Sequence, residues 1–200
     1  MEKQHPQKAG TAPLRGLGLV CPDAERGGPP LHLWDPPYCG EIDIRIAADG
    51  IWFHNGTPIS RPAMVRLFAS IMIGGEEGGY FLITPVEKVG ITVDDAPFLA
   101  VRMEVQDRGR TSQTVVLTTN VGDEVEVGPE HPLTFVTDTA TAGFKPYVLV
   151  RGGLKALVGR AITYDLVELA ETRTVDGTEM FGVRSGGAFF AMARAGEMQG

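Results

Sequence analysis

Between residues 42 and 54 the chain alternates apolar with polar positions and then reverses. Ile42, Ile44 and Ile46 are separated by Asp43 and Arg45, the period-two signature of a strand with one buried face. Asp49-Gly50 supplies a tight turn, because glycine tolerates the positive φ that such turns need. Residues 51–54 predict the returning strand, closed by Asn55-Gly56. Ser60 is placed to cap a helix with Pro62 in its first turn. Met64, Leu67, Phe68 and Ile71 then fall at i, i+3, i+4 and i+7, one apolar helical face that Gly74-Gly75 ends. Strands are expected at 80–84 and 89–93.

A later stretch reads in the same way. At a fixed offset of 103, residues 44–60 superpose on 147–163 without a gap: Gly50 meets Gly153, Gly56 meets Gly159, Ile59 meets Ile162 and Ser60 meets Thr163. Strands are predicted at 147–150 and 154–158, with Thr163 as cap and Leu166, Leu169 and Ala170 on a short apolar face. A hairpin over 180–184 and 188–192 turns at Ser185-Gly186-Gly187. Turn residues in register predict a duplicated unit that packs against its copy. Between the copies, residues 98–105, 114–118, 124–127 and 133–137 read as strands joined by polar turns. The expected fold class is α+β, two ββαββ-like repeats flanking a β-rich, mostly antiparallel middle segment, with few helices. The boundaries are a flexible N-terminal segment (1–30), a first repeat (31–98), the middle segment (99–142) and a second repeat (143–195), in one shared core.

Composition narrows the function classes. At 200 residues with 43% hydrophobic positions the chain has material for a sizeable core. A net charge of -7 with scattered Lys and Arg argues against nucleic acid, which needs clustered cations. No apolar run reaches the roughly 18–20 residues that span a bilayer, and the first residues lack a secretory pattern. Cys21 and Cys39 form no C-x-x-C pair, so reduced thiols and a cytoplasmic location are expected.

Familiar catalytic signatures are missing. Gly16-Leu17-Gly18 has no third glycine, the Gly74–Gly79 run puts two acids where phosphate would sit, and Ser185 lies in V-R-S-G-G rather than G-x-S-x-G. His5, His32, His54 and His131 have no short-spaced partner, so no dedicated metal site is expected, and no cofactor is identified. Three polar strings remain. The first, from Trp34 to Arg45, either lines a pocket or packs its aromatics while Asp43 and Arg45 sit on a wet face. The second, from Thr84 to Phe98, offers Glu87, Asp94 and Asp95 as carboxylates and Lys88 as an anion contact, or shapes turns. The third holds Asn120 and Asp123, as ligand contacts or as loop residues.

These strings also carry a resemblance. W-D-P-P-Y-C-G-E-I-D-I-R-I (34–46), G-T-P-I-S-R-P-A-M-V-R-L-F (56–68), Y-F-L-I-T-P-V-E-K-V-G-I-T-V-D-D-A-P-F (80–98), T-N-V-G-D-E-V (119–125) and E-H-P-L (130–133) resemble the bacterial family catalogued as domain of unknown function 1285. The resemblance extends over most of residues 31–192. It implies repeated motifs in an uncommon α+β arrangement and ligand binding in a signalling or regulatory context, without an established ligand or reaction. It supplies no catalytic residue.

The leading expectation is a small-molecule-binding or regulatory protein whose pocket lies between the repeats and the middle sheet. Its candidate contacts are Asp43, Arg45, Arg61, Thr84, Glu87, Asp94, Asp95 and Asn120, with Arg61 at a helix start suited to an anionic group. One alternative is a hydrolase-like enzyme using Glu87, Asp94 or Asp95; the other is a protein-interaction scaffold without a pocket. Catalytic residues, ligand identity and oligomeric state stay open. Neither a nucleic acid nor a membrane is an expected partner.

Overall fold

The structure, a computed structural model, describes residue 14 and residues 28–75, 78–137 and 143–198. Most of the expected flexible segment, and the acids Glu76 and Glu77, therefore lie outside the described residues. The chain divides into two compact units between Asp95 and Ala96.

The first unit is built from β1 (Tyr38–Ile46), β2 (Trp52–His54), β3 (Thr57–Pro58), α1 (Pro62–Ser70), β4 (Met72–Gly74), β5 (Tyr80–Ile83) and β6 (Lys88–Val93). Its sheet runs β3-β2-β1-β6-β5-β4. Every neighbouring pair is antiparallel except the central β1 and β6, which are parallel. The alternation of β1 appears as expected, with Ile44 and Ile46 buried and Glu41, Asp43 and Arg45 outward. Asp49 accepts a hydrogen bond from the Ile51 amide at 3.0 Å, and Gly50 takes φ +80°. On the apolar face Phe68 of α1 stacks on Trp52 with ring centroids 6.2 Å apart. Ile71, Leu82, Val89 and Ile91 complete that core.

Two expectations about helices are corrected. The cap of α1 is Arg61, not Ser60, because Pro62 forces the residue before it out of the helical region; Arg61 sits at φ -96°, ψ 105°. The helix also stops at Ser70 rather than at Gly74-Gly75. Met72 is as buried in a strand as it would be on a helix face, and β4 gains a ladder against β5, pairing Met72 with Leu82.

The second unit contains β7 (Phe98–Gln106), β8 (Thr114–Thr119), β9 (Glu124–Glu126), β10 (Leu133–Thr137), β11 (Phe144–Arg151), β12 (Leu154–Val158), α2 (Arg160–Glu168), β13 (Glu171–Val175), β14 (Thr178–Ser185) and β15 (Ala188–Arg194). One sheet runs β10-β11-β12-β7-β8-β9 and a second runs β13-β14-β15. Here too the expected cap moves. Gly159 precedes α2, its amide tied to Ala100 O at 3.1 Å, and Thr163 lies inside the helix with its hydroxyl donating to Gly159 O.

The fold is thus α+β with few helices: two α-helices among the described residues, and mostly antiparallel strands. The six-stranded sheets share one plan. Each joins two antiparallel trios through a single parallel pair, β1 with β6 and β12 with β7. That plan matches β1 to β7, whereas the offset of 103 carries β1 onto β11. The offset also carries Pro62 onto Asp165, although α2 begins at Arg160. The offset carries the β1–β2 register onto β11–β12, Ile44–His54 onto Tyr147–Leu157, but it does not relate the two sheet plans.

Candidate functional site

Within the first unit, the alternation of β1 places Arg45 beside Thr92 on β6 and opposite Phe53 on β2. Its guanidinium pairs with Asp94 at 2.8 Å and lies 5.1 Å from the Phe53 ring centroid. This pair straps β1 to the end of β6. Both side chains are partly exposed, at 47% and 33%, so water screens the attraction and the pair contributes at most about 1 kcal/mol. Asp94→Ala is expected to lower the melting temperature by no more than roughly 4 °C in scanning calorimetry. A larger loss would give the pair a role that its exposure does not explain.

Thr84 and Glu87 form the other end of the same strand. Thr84 is fully buried, and its hydroxyl accepts from the Glu87 amide at 3.2 Å and the Val86 amide at 3.4 Å. The Thr84 amide donates to Glu87 O at 2.9 Å. Both residues thereby close the β5–β6 hairpin, and the Glu87 side chain is buried. Glu87 precedes β6 and Asp94 follows it. Seven residues of extended chain put these carboxylates on the order of 20 Å apart, too far for a shared acid–base pair. Asp95 sits near Tyr80, whose phenol is raised above its usual range first by burial and then by the Asp95 charge. Asp43 and Arg61 are exposed. Asn120 belongs to the second unit, where its side-chain oxygen accepts from the Leu99 amide at 3.1 Å and its own amide donates to Leu99 O at 2.8 Å.

Several side chains pack together on the first sheet. Lys88 lies 4.3 Å from the Phe81 ring centroid, and Tyr38 meets Phe81 edge to face at 6.0 Å. A Cβ at Gly90 would come within 2.9 Å of Glu41 Oε1 and 3.3 Å of the Tyr38 hydroxyl. The Glu41 and Tyr38 side chains thus lie over Gly90.

The second unit opens a groove, of about 520 Å³, along β8, β9 and the loop that follows. Its walls include Glu124, Glu126, Glu130, His131 and Gly186. Glu124 and Glu126 share one face of β9 because Val125 between them points inward. Arg102 engages Glu124 at 3.2 Å, while no ion pair among the described residues engages Glu126 or Glu130. His131 Nδ1 is 3.0 Å from Leu149 O. A carbonyl only accepts, so Nδ1 carries the proton and Nε2 is the basic ring nitrogen. Among the described residues no cluster of His, Cys, Asp and Glu has the geometry to hold a metal ion.

One wall of the groove comes from a distant hairpin. Ser185 at the end of β14 is fully buried; its hydroxyl accepts from the Val115 amide at 2.8 Å and donates to Val127 O at 2.6 Å. The β8–β9 ladder pairs Val116 with Glu126, and beyond it the Val127 amide donates to Val115 O at 2.8 Å, leaving the Val115 amide and Val127 O for the Ser185 hydroxyl. The hydroxyl is spliced into that step. Gly186 follows with φ +55°, and a Cβ there would lie 2.7 Å from Val127 O. Gln113 adds a second tie, its side-chain amide donating to Arg184 O at 2.8 Å.

The groove residues were missed in the sequence, although a signal was present in E-V-E-V-G-P-E-H (124–131): alternating acids, a Gly-Pro break, then acid and imidazole. That Gly186 from a distant hairpin lines the groove had no local signal. Among the described residues, no helix is long and apolar enough to cross a membrane.

Comparison with known proteins gives a consistent result. Residues 29–96 match the model described as "Domain of unknown function (DUF1285), N-terminal domain". Residues 97–192 match "Protein of unknown function (DUF1285), C-terminal domain". The chain is similar to the crystal structure of a DUF1285 family protein from Silicibacter pomeroyi DSS-3, at 48% identity and a TM-score of 0.79, covering 88% of this chain and 92% of that one. A DUF1285 family protein from Shewanella baltica OS155 aligns at 34% identity and a TM-score of 0.49, over 62% of this chain and 90% of that one. No curated protein matches.

Proposed function

The chain belongs to the DUF1285 family, and from that premise we propose that it is a cytoplasmic protein that binds a small organic cation and acts in regulation rather than catalysis. The observation that carries this reading is the acidic groove of the second unit. Its volume falls within the range of about 300–1,000 Å³ typical of small-molecule sites. Its glutamates set the sign of the ligand, and the net charge of -7 steers cations towards the chain. Separation of Glu87 from Asp94 favours binding over the hydrolase-like alternative. The free, exposed thiol of Cys39 suits a reducing compartment. The polar residues of the first unit, Asp43, Arg45 and Arg61 among them, would then serve its surface and its sheet.

Thermal shift tests the reading directly. Putrescine, spermidine, agmatine and choline are titrated against the wild type and against Glu126→Gln/Glu130→Gln. At about a hundredfold excess over Kd, the cation that fits is expected to raise the melting temperature by roughly 5–10 °C. The double variant should lose that rise while melting near the wild type without ligand. Stabilisation by acidic or neutral metabolites instead, or an undiminished rise in the double variant, would remove the groove as the site.

A further inference from the structure

Beyond ligand binding, we propose that strand β13 is a self-association edge, through which two copies of this chain pair antiparallel about a two-fold axis at Thr172. β13 is the outer strand of β13-β14-β15, and all five of its residues are exposed. Among the described residues no strand pairs with its free side. Asp176 and Gly177, at φ +47° and +78°, form a two-residue turn, so the flanking Val175 and Thr178 are a hydrogen-bonded pair. Alternation from that pair directs the backbone groups of Glu171, Arg173 and Val175 towards β14. Those of Thr172 and Thr174 point outward, unpaired, as an exposed edge that another strand can extend.

Charge selects both the occupant and the register. A two-fold axis at Thr172 sets Glu171 of each copy opposite Arg173 of the other, twice over, as a self-complementary contact requires. An axis one residue later would set Arg173 against Arg173. Glu171 is already held by Arg184 at 3.4 Å, and Arg173 lies 5.8 Å from the Phe189 ring centroid, so both side chains are anchored on one face of the strand. A five-residue edge falls short of the roughly 1,000 Å² that stable interfaces bury. The dimer is therefore weak and concentration-dependent.

Sedimentation equilibrium of the full chain from about 10 µM to 1 mM is expected to show a monomer–dimer equilibrium. Thr172→Pro removes an outward N–H and leaves the β13–β14 ladder intact; it should weaken association at least about tenfold. Glu171→Arg and Arg173→Glu should each be monomeric alone, since each opposes like charges across the axis. Mixed together they should form a heterodimer, because every facing pair is then opposite in sign. A wild type that stays monomeric at 1 mM overturns the proposal. So does wild-type association in Thr172→Pro, or a mixture of the two charge variants that fails to associate.

Discussion

Gly182→Ala is expected to lower the melting temperature by roughly 6–12 °C, with a loss of about 3 kcal/mol. Gly182 lies inside β14, where the ladder to β15 slips: Phe181 pairs with Ala193 but Gly182 with Ala191. At this bulge the two backbones approach so closely that a Cβ would sit 2.3 Å from Phe190 O and 2.9 Å from the Ala191 Cα. The Phe189 ring closes the remaining side at 2.8 Å. Two of these three neighbours are backbone, so relief requires opening the ladder rather than rotating a side chain. Gly196→Ala is the control, since nothing lies within 4 Å of its added Cβ. If both variants melt within about 2 °C of the wild type, the close approach at the bulge is not a determinant of stability.

Gly182 also marks the limit of what local patterns disclose. A glycine inside a strand signals a bulge or a close approach, yet the pattern does not say against what. Features decided within a few residues were legible: the alternation of β1, the turn at Asp49-Gly50, and the hairpin at Ser185-Gly186-Gly187. The strands of the middle segment were legible for the same reason. The end of α1 was not, because an apolar run such as Ile71-Met72-Ile73 satisfies a helix face and a short buried strand equally. Only the ladder to β5 decides between them, and that partner lies beyond a glycine-rich loop.

The offset of 103 recovers a hairpin and not the sheet plan. It carries the β1–β2 register onto β11–β12, Ile44–His54 onto Tyr147–Leu157, together with the turn glycines. What distinguishes the sheet plan is its single parallel pair, which needs a long connection and leaves no mark in either strand. The candidate residues follow suit. Thr84, Glu87 and Asn120 stand out as members of polar strings, and the structure uses Thr84 and Asn120 to hold backbone amides. The groove's Glu126 and Glu130 were not singled out in the sequence; they line one groove together with Gly186, which follows β14.

Ser185→Ala is accordingly the substitution expected to affect stability and binding together. The hydroxyl bonds the Val115 amide at 2.8 Å and Val127 O at 2.6 Å, and alanine leaves both groups buried without it. Each orphaned group costs about 1–3 kcal/mol, so a loss of about 2–4 kcal/mol is expected, or roughly 4–16 °C in melting temperature. The other half of that step, the Val127 amide donating to Val115 O at 2.8 Å, does not involve the hydroxyl and is expected to persist. Hydrogen exchange localises the effect: the Val115 amide should lose protection, while β1 in the first unit keeps its own. Because Val127, Gly128 and Gly186 line the groove, affinity for an organic cation should fall in the same variant, although no charge has changed. Retained protection at Val115 with a melting temperature within about 2 °C of the wild type would mean that the splice is dispensable. Lost protection with unchanged affinity would instead separate the groove from the wall that Ser185 holds, and place the ligand elsewhere.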